Sequence, residues 1–346
     1  MLSGIAIASP LSLFMGRFGR RAGFLLGAAA LVVGGGLATL ALLNQSFLLL
    51  CVAHVALGCA LVCVNYFRFA AAEAVTKEQR PQAISLTLAS GLVAALIGPE
   101  LFSWSKAALL PTPLAGAYAA IAVIGLVGAL PAAGLNPMTV SDQGHSLEMR
   151  LPFLDALKRI VRDPKILVAV GIAALCQAIM VLLMTPTPLA MIGCGFVETQ
   201  AADVIRWHVV AMFAPGFFTG SLIKRFGPER IAGAGLTLIL FSAGVALLGL
   251  ELINFYAALI ILGIGWNFGF VSGTYMLQSA VSEGDAPILQ GANETILAIA
   301  SSAASLLSGA LYAGIGWGGL VALSVPIAVV FCLMLLRINR RVALLA

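Results

Sequence analysis

Residues 12–21, Ser12-Leu-Phe-Met-Gly16-Arg17-Phe18-Gly19-Arg20-Arg21, and residues 220–230, Gly220-Ser-Leu-Ile-Lys224-Arg225-Phe226-Gly227-Pro-Glu-Arg230, decide the architecture of this chain. Each ends an apolar run with a small basic turn, and Arg-Phe-Gly recurs at a spacing of 225 − 17 = 208 residues. A repeat over that distance marks two parallel copies of one structural plan. In each copy glycine permits a tight turn between helices, and the basic side chains suit helix C-termini and anionic headgroups. The plainer reading of both turns is a topology determinant alone.

Around these turns the 346-residue chain is 61% hydrophobic and 10% charged, with a mean hydropathy of +1.06. A soluble domain carries about 25% charge, so a water-soluble enzyme is excluded. Successive apolar runs, most of them long enough to cross a ~30 Å hydrocarbon core as helix, make the chain an all-α polytopic membrane protein. The predicted spans are 1–16, 23–43, 47–72, 82–104, 114–134, 166–188, 205–223, 231–250, 254–278, 288–313 and 317–337. The first is short, no basic stretch precedes it, and its arginines follow it, the reverse of a cleavable signal. The second repeat turn has two spans of its half before it and the first has one incomplete span. The expectation is therefore a 6 + 6 plan seen here as 5 + 6, about eleven helices, with the first helix lying outside this sequence.

The net charge of +5 resides in short loops, where it encodes topology rather than affinity for nucleic acid. With the loop at 17–22 cytoplasmic, alternation places every basic residue inside except Lys106 and Arg206, near the outer interface, and Arg68, within a span. The C-terminus is then cytoplasmic and the membrane is expected to be a bacterial inner membrane. The longest polar connection, 135–165, holds Asp142, His145, Glu148, Arg150, Asp155, Lys158, Arg159 and Arg162 and divides the chain into bundles at 1–134 and 166–346. Within it Leu151–Ile160 has helical spacing of apolar residues, predicting a helix along the membrane surface with its basic face toward lipid. Cys51, Cys59, Cys63, Cys176 and Cys332 fall in apolar runs and Cys194 in an outer loop, so no disulfide is expected.

The stretch 12–21 resembles the loop between helices 2 and 3 of the major facilitator superfamily, whose pattern is G-x-x-x-D-R-x-G-R-R, and 220–230 resembles its second-half copy. The first copy carries Gly16 where the family has Asp and Ser12 where it has the leading Gly. The resemblance covers the whole chain and implies two pseudo-symmetric helical bundles alternating around a site near the midplane, with Arg17, Gly19, Arg20, Arg21, Arg225, Gly227 and Arg230 forming the cytoplasmic loop motif. Asn65-Tyr66-Phe-Arg68, Gly265-Trp266-Asn267-Phe268 and Gln290-Gly291-Ala-Asn293-Glu294 look like a poorly characterised bacterial branch of it. Gly91 with Gly98-Pro99 partly resembles the fifth-helix motif of proton-driven exporters, with Glu100-Leu101 in place of its closing glycines. His54-Val-Ala-Leu-Gly58 stands where many members carry R-x-x-x-G, which implies a proton-linked role for His54.

Ionisable groups inside spans are costly and usually face a cavity or a partner. His54, Arg68 and Glu294 are the candidates for proton coupling or gating. Arg68 lies nine residues before Lys77 and Glu294 nine after Asp285, which sets both about 13 Å above the inner loops at 1.5 Å per residue. They can pair if their helices face each other. The alternatives are a snorkelling Arg68 and a Glu294 bonded within its own helix. Asn65, Tyr66, Gln177, Trp266, Asn267 and Asn293 could line a substrate cavity, although Asn and Gln also serve as packing glue between helices.

Histidine occurs only at 54, 145 and 208, and there is no paired-Asp, His-box, nucleophile-elbow or Walker pattern. No enzyme activity, metal or cofactor is expected. The expected function is secondary active transport of a small solute, proton-coupled, by a monomer in the lipid bilayer, as drug or metabolite efflux or as nutrient uptake. A non-transporting receptor of the same fold is the alternative.

Overall fold

In lipid a backbone has no water to bond to, so an apolar segment becomes helix because helix closes its own N–H and C=O groups. The computed structural model describes residues 2–135, 153–282 and 284–345, and among them every regular element is helical. In chain order these are α1 Leu2–Leu43, α2 Phe47–Asn65, α3 Phe67–Glu73, a 3-10 turn Lys77–Gln79, α4 Arg80–Ala89, α5 Gly91–Ser105, α6 Ala115–Gly134 and α7 Phe153–Arg162. They continue with α8 Pro164–Met184, α9 Thr187–Gly193, α10 Glu198–Phe213, α11 Gly216–Phe226, α12 Pro228–Leu247, α13 Leu252–Ala280 and α14 Ala286–Leu345. Eight helical stretches among the described residues are long and apolar enough to cross a membrane. The protein is an all-α, multi-pass membrane protein.

Several boundaries differ from those read in the sequence, each for a local reason. The gap expected at 17–22 closes to a single residue, because Gly19 turns the chain within α1 at φ 85°, ψ 161°. Likewise Gly316 interrupts α14 at φ 69°, ψ −177° between the expected spans 288–313 and 317–337. The span expected at 205–223 is broken between α10 and α11, since Pro215 has no N–H to continue the ladder. Tyr66 divides 47–72 and Ser90 divides 82–104. Asp163 caps α8 by accepting from the Lys165 N–H at 2.9 Å, so α7 ends one residue before a span begins. In α7 Ala156 and Ile160 are buried while Leu154, Lys158, Val161 and Arg162 are exposed, the two-faced helix that the spacing predicts. Asp142, His145, Glu148 and Arg150 lie outside the described residues.

The chain forms two compact units, each discontinuous in sequence. The first comprises Met1–Ala70, Leu96–Leu157 and Glu283–Ala298. The second comprises Ala71–Ala95, Lys158–Ser282 and Ile299–Ala346. In the second, Ala72, Ile84, Ile223, Ile231 and Val271 form a buried apolar cluster against which Leu88, Leu222, Phe268 and Tyr275 pack. There α13 runs at backbone distance from its neighbours: a Cβ at Gly265 would stand 2.8 Å from Gly235 O.

The repeated Arg-Phe-Gly turns share one conformation. Gly227 has φ 86°, ψ 150°, against 85° and 161° at Gly19. In each turn the arginine lies over the neighbouring ring, Arg17 over Phe18 at 5.3 Å and Arg225 over Phe226 at 5.1 Å. That region of backbone space is essentially closed to residues with a Cβ, at a cost of about 1–3 kcal/mol. Gly19→Ala and Gly227→Ala should therefore each lower the melting temperature of the detergent-solubilised protein. Gly233→Ala, at an ordinary helical position with open space around it, should leave that temperature unchanged or raise it.

Candidate buried polar clusters

In the first unit the break at Tyr66 sets the geometry. Its N–H reaches back to Cys63 O at 3.1 Å, and its hydroxyl donates to Ala8 O on α1 at 2.8 Å. The chain restarts as α3 with Arg68 turned inward and only 4% exposed. Arg68 Nη2 donates to Glu294 Oε1 on α14, and Nη1 donates to Asn65 O at 2.9 Å. The guanidinium also lies 4.7 Å over the Phe69 ring. Asn293 Nδ2 donates to the same Glu294 oxygen at 2.8 Å, so the carboxylate, 3% exposed, is answered by a charge and an amide together. A charge at such depth without a partner costs about 2.5–3.5 kcal/mol on insertion scales.

Arg20 extends this cluster. It is 8% exposed, donates to Gln290 Oε1 at 2.6 Å, and lies 5.7 Å over the Tyr66 ring. The hydroxyls of Ser9 and Thr295 share a hydrogen bond of 2.9 Å, and Ser12 Oγ donates to Pro287 O at 2.6 Å. Residues from the beginning of the chain thus meet the first turns of α14 along a continuous polar seam.

In the second unit Asn267 is fully buried and spans the proline break. Its Nδ2 donates to Met212 O in the last turn of α10 at 2.7 Å, while its Oδ1 accepts from Thr219 Oγ1 on α11 at 2.7 Å. Beside it Trp266 donates from Nε1 to Gln177 Oε1 at 2.9 Å and stacks on Phe270 with centroids 4.8 Å apart. Phe213 meets Trp266 edge to face at 6.2 Å. Ser85 Oγ on α4 donates to Gly216 O and accepts from the Gly220 N–H at 3.0 Å.

Of the residues singled out in the sequence, Arg68, Glu294, Asn293 and Tyr66 come together in the first unit, and Gln177, Trp266 and Asn267 in the second. Asn65 offers its carbonyl to Arg68 but is itself exposed. His54 stands apart from Arg68, 68 − 54 = 14 residues away along the chain, about 20 Å at helical rise. It is exposed, bonded through Nδ1 to Leu50 O at 2.8 Å and through Nε2 to the Tyr118 hydroxyl at 3.2 Å. In the loop motif Arg17, Arg225 and Arg230 are exposed, Arg21 is half-buried, and Arg20 alone is buried. The Ser85 and Thr219 hydroxyls and the fully buried His208, bonded to Leu259 O at 2.7 Å, carry no motif signal, and Ser12 reads only as a departure from the loop motif. Small polar residues in apolar helices are too common to single out until a partner helix is known.

The relatives of this chain are membrane transporters. The chain is 37% identical to the riboflavin transporter RfnT of Brucella anthropi, over 97% of this chain and 84% of that protein. It is 30% identical to the uncharacterised MFS-type transporter YddS of Bacillus subtilis, over 86% of this chain and 71% of that protein. Its fold matches the crystal structure of the MFS transporter FucP in the outward conformation with a TM-score of 0.76 at 15% identity, covering 97% and 86% of the two chains. No family model matches the chain. The chain belongs to the major facilitator superfamily. It is a multi-pass transporter acting on small-molecule solutes, and not an enzyme.

The Asn267 contacts predict a structural coupling. Asn267→Ala and Thr219→Val should each lower stability by about 1–3 kcal/mol, because each strands a buried polar partner. The double variant should lose less than the sum, read from melting curves of the purified protein. Additive losses would show that the two groups act independently.

Proposed function

We propose that this transporter moves a small heteroaromatic solute of the riboflavin type by proton-coupled alternating access, as a monomer in a bacterial inner membrane with its C-terminus in the cytoplasm. Its working halves are 1–134 and 166–346, joined by the segment 135–165. One observation carries the mechanism: Arg68, from the first half, and Glu294, from the second, are paired in an apolar interior. Two charges so placed favour one conformation strongly, since a differential of about 5.5 kcal/mol takes a two-state equilibrium from 1:99 to 99:1. Protonation of Glu294 removes its charge, weakens the pair and releases the crossing. Proton movement is thereby tied to alternation.

The solute class rests on the 37% identity to a riboflavin transporter, supported by the aromatic group Trp266, Phe270 and Phe213. Within each unit one polar group is left open to a solute: Asn65, exposed, in the first, and Gln177, half-buried with its amide nitrogen beyond the Trp266 bond, in the second. Tyr66 and Asn293 in the first unit and Asn267 in the second are held in bonded positions. His54 serves as a relay toward the opposite end of its helix, with Tyr118 as its partner.

Purified protein in vesicles, with riboflavin inside or outside and an imposed pH gradient, tests the whole reading. Wild type should accumulate riboflavin along the gradient. Arg68→Glu and Glu294→Arg should each cut that flux at least tenfold, and the double swap should recover part of it. His54→Gln should lose gradient-driven accumulation and keep solute exchange. Flux without a gradient requirement would remove proton coupling, and a double swap no better than either single change would remove the gate.

A further inference from the structure

The second unit holds a cavity away from the aromatic group around Trp266. The last turns of α9 and α12 and the bend of α14 at Gly316 surround about 560 Å³ of open space. Pockets that take small ligands run from about 300 to about 1,000 Å³. Because α12 begins at the Gly227 turn and is 20 residues long, the cavity at its far end lies about 30 Å from that turn. Along α13, Phe255 behind the cavity and Trp266 are 266 − 255 = 11 residues apart, about 16 Å. The two places are separate.

Missing side chains make the room. Gly193, Gly249, Gly316 and Gly318 line it, and a Cβ at Gly318 would meet nothing within 4 Å. One wall is aromatic and held from behind: Trp317 lies 5.5 Å from Phe255, which is 2% exposed and in turn meets Phe196 edge to face at 6.0 Å. A fixed ring wall suits a flat ring, which gains from offset or edge contact with it. Among the described residues no charged side chain lines the cavity, so a charged ligand would lose hydration there and meet no counter-charge.

Two polar groups remain open to a ligand. Trp317 is only 7% exposed, yet its indole N–H has no acceptor among the described residues, whereas a donor so placed is normally bonded. Tyr312 donates its hydroxyl to Leu189 O at 3.2 Å, which leaves the oxygen able to accept. Gly193 keeps that oxygen reachable, since a Cβ at 193 would stand 3.0 Å from it. We propose that this cavity is a second small-molecule site, taking a neutral, flat heteroaromatic ring with a carbonyl or ring nitrogen for the Trp317 N–H and an N–H for the Tyr312 oxygen. Riboflavin carries such a ring, and the inference does not need riboflavin to be transported.

Cys194, exposed and on the cavity lining, reports occupancy in the intact protein. The other five cysteines fall in apolar runs, so a charged, water-borne thiosulfonate reads Cys194, and Cys194→Ser gives the background. In nanodiscs, riboflavin and its bare ring system lumichrome should each slow this modification several-fold. Trp317→Phe keeps a ring and removes the N–H: it should raise the half-protecting concentration about threefold to tenfold, the value of one net hydrogen bond, and leave the ligand-free rate unchanged. Gly318→Leu, which fills the space, should abolish protection at an unchanged ligand-free rate. Trp266→Phe should leave protection intact. Protection that vanishes in Trp266→Phe would put the ligand at the other aromatic group and overturn the second site, as would a rate that neither compound changes. A thiol already slow in nanodiscs and quickened in detergent would show a lipid chain in the cavity, with the same consequence. An unchanged midpoint in Trp317→Phe would remove the indole contact. Protection by riboflavin in a protein that does not carry it would leave this site standing and remove the proposed solute, and transport without protection would remove this site alone.

Discussion

A guanidinium and a carboxylate buried together among apolar helices are bound to one another by what separation would cost. Removing either partner leaves a charge in a medium that cannot solvate it, at about 3–5 kcal/mol. Arg68 and Glu294 are in that position, and much of the first unit is arranged around them. The break at Tyr66 turns Arg68 inward, Phe69 supplies a ring beneath the guanidinium, Asn65 gives a carbonyl, and Asn293 donates to the carboxylate. Arg20 on α1 and Gln290 on α14 continue the seam. Such a pair contributes little net stability compared with an apolar replacement. Its value is that it specifies which turns of α3 and α14 lie together.

Helix ends impose the second constraint. Two helices that must turn within one residue need a backbone conformation open to glycine, and Gly19 and Gly227 adopt nearly the same angles 227 − 19 = 208 residues apart. The turn fixes where each following helix starts and in which direction it leaves. Ser12 and Gly220 each lie seven residues before these glycines, 19 − 12 and 227 − 220, so the same stretch of helix precedes both turns.

The fold was legible in the sequence because its determinants are one-dimensional. Apolar run length, the position of basic loops and the Arg-Phe-Gly repeat need no knowledge of neighbours. The depth argument likewise brought Arg68 and Glu294 to the same level, since rise per residue is a property of a single helix. What stayed hidden depends on which helix faces which. Arg20 reads as one more loop arginine, yet it is buried against Tyr66 and Gln290. Asn267 reads as a cavity amide, yet both its polar atoms are engaged across the Pro215 break. A proline such as Pro215 does not by itself mark a division, because an apolar run with one proline still crosses a membrane when a neighbour supplies the missing bond.

The two repeated turns are alike in backbone, while the groups at corresponding positions around them are unlike in charge. The turns are 208 residues apart, and Pro81 and Pro287, in the first turns of α4 and α14, are 287 − 81 = 206 apart. Applying these spacings to the polar seam carries Arg68 to Met276, 68 + 208, and Glu294 to Leu88, 294 − 206. Gln290 maps onto Ile84 by the same 206 residues. Ile84 belongs to the buried apolar cluster of the second unit and Leu88 packs against it, so the charged seam of one unit has an apolar core as its counterpart in the other. Apolar contact is indifferent to protonation, whereas an ion pair is not. On the proposed mechanism a proton therefore acts on the Arg68–Glu294 pair, and the positions corresponding to Glu294 and Gln290 in the second unit, Leu88 and Ile84, have no group to titrate.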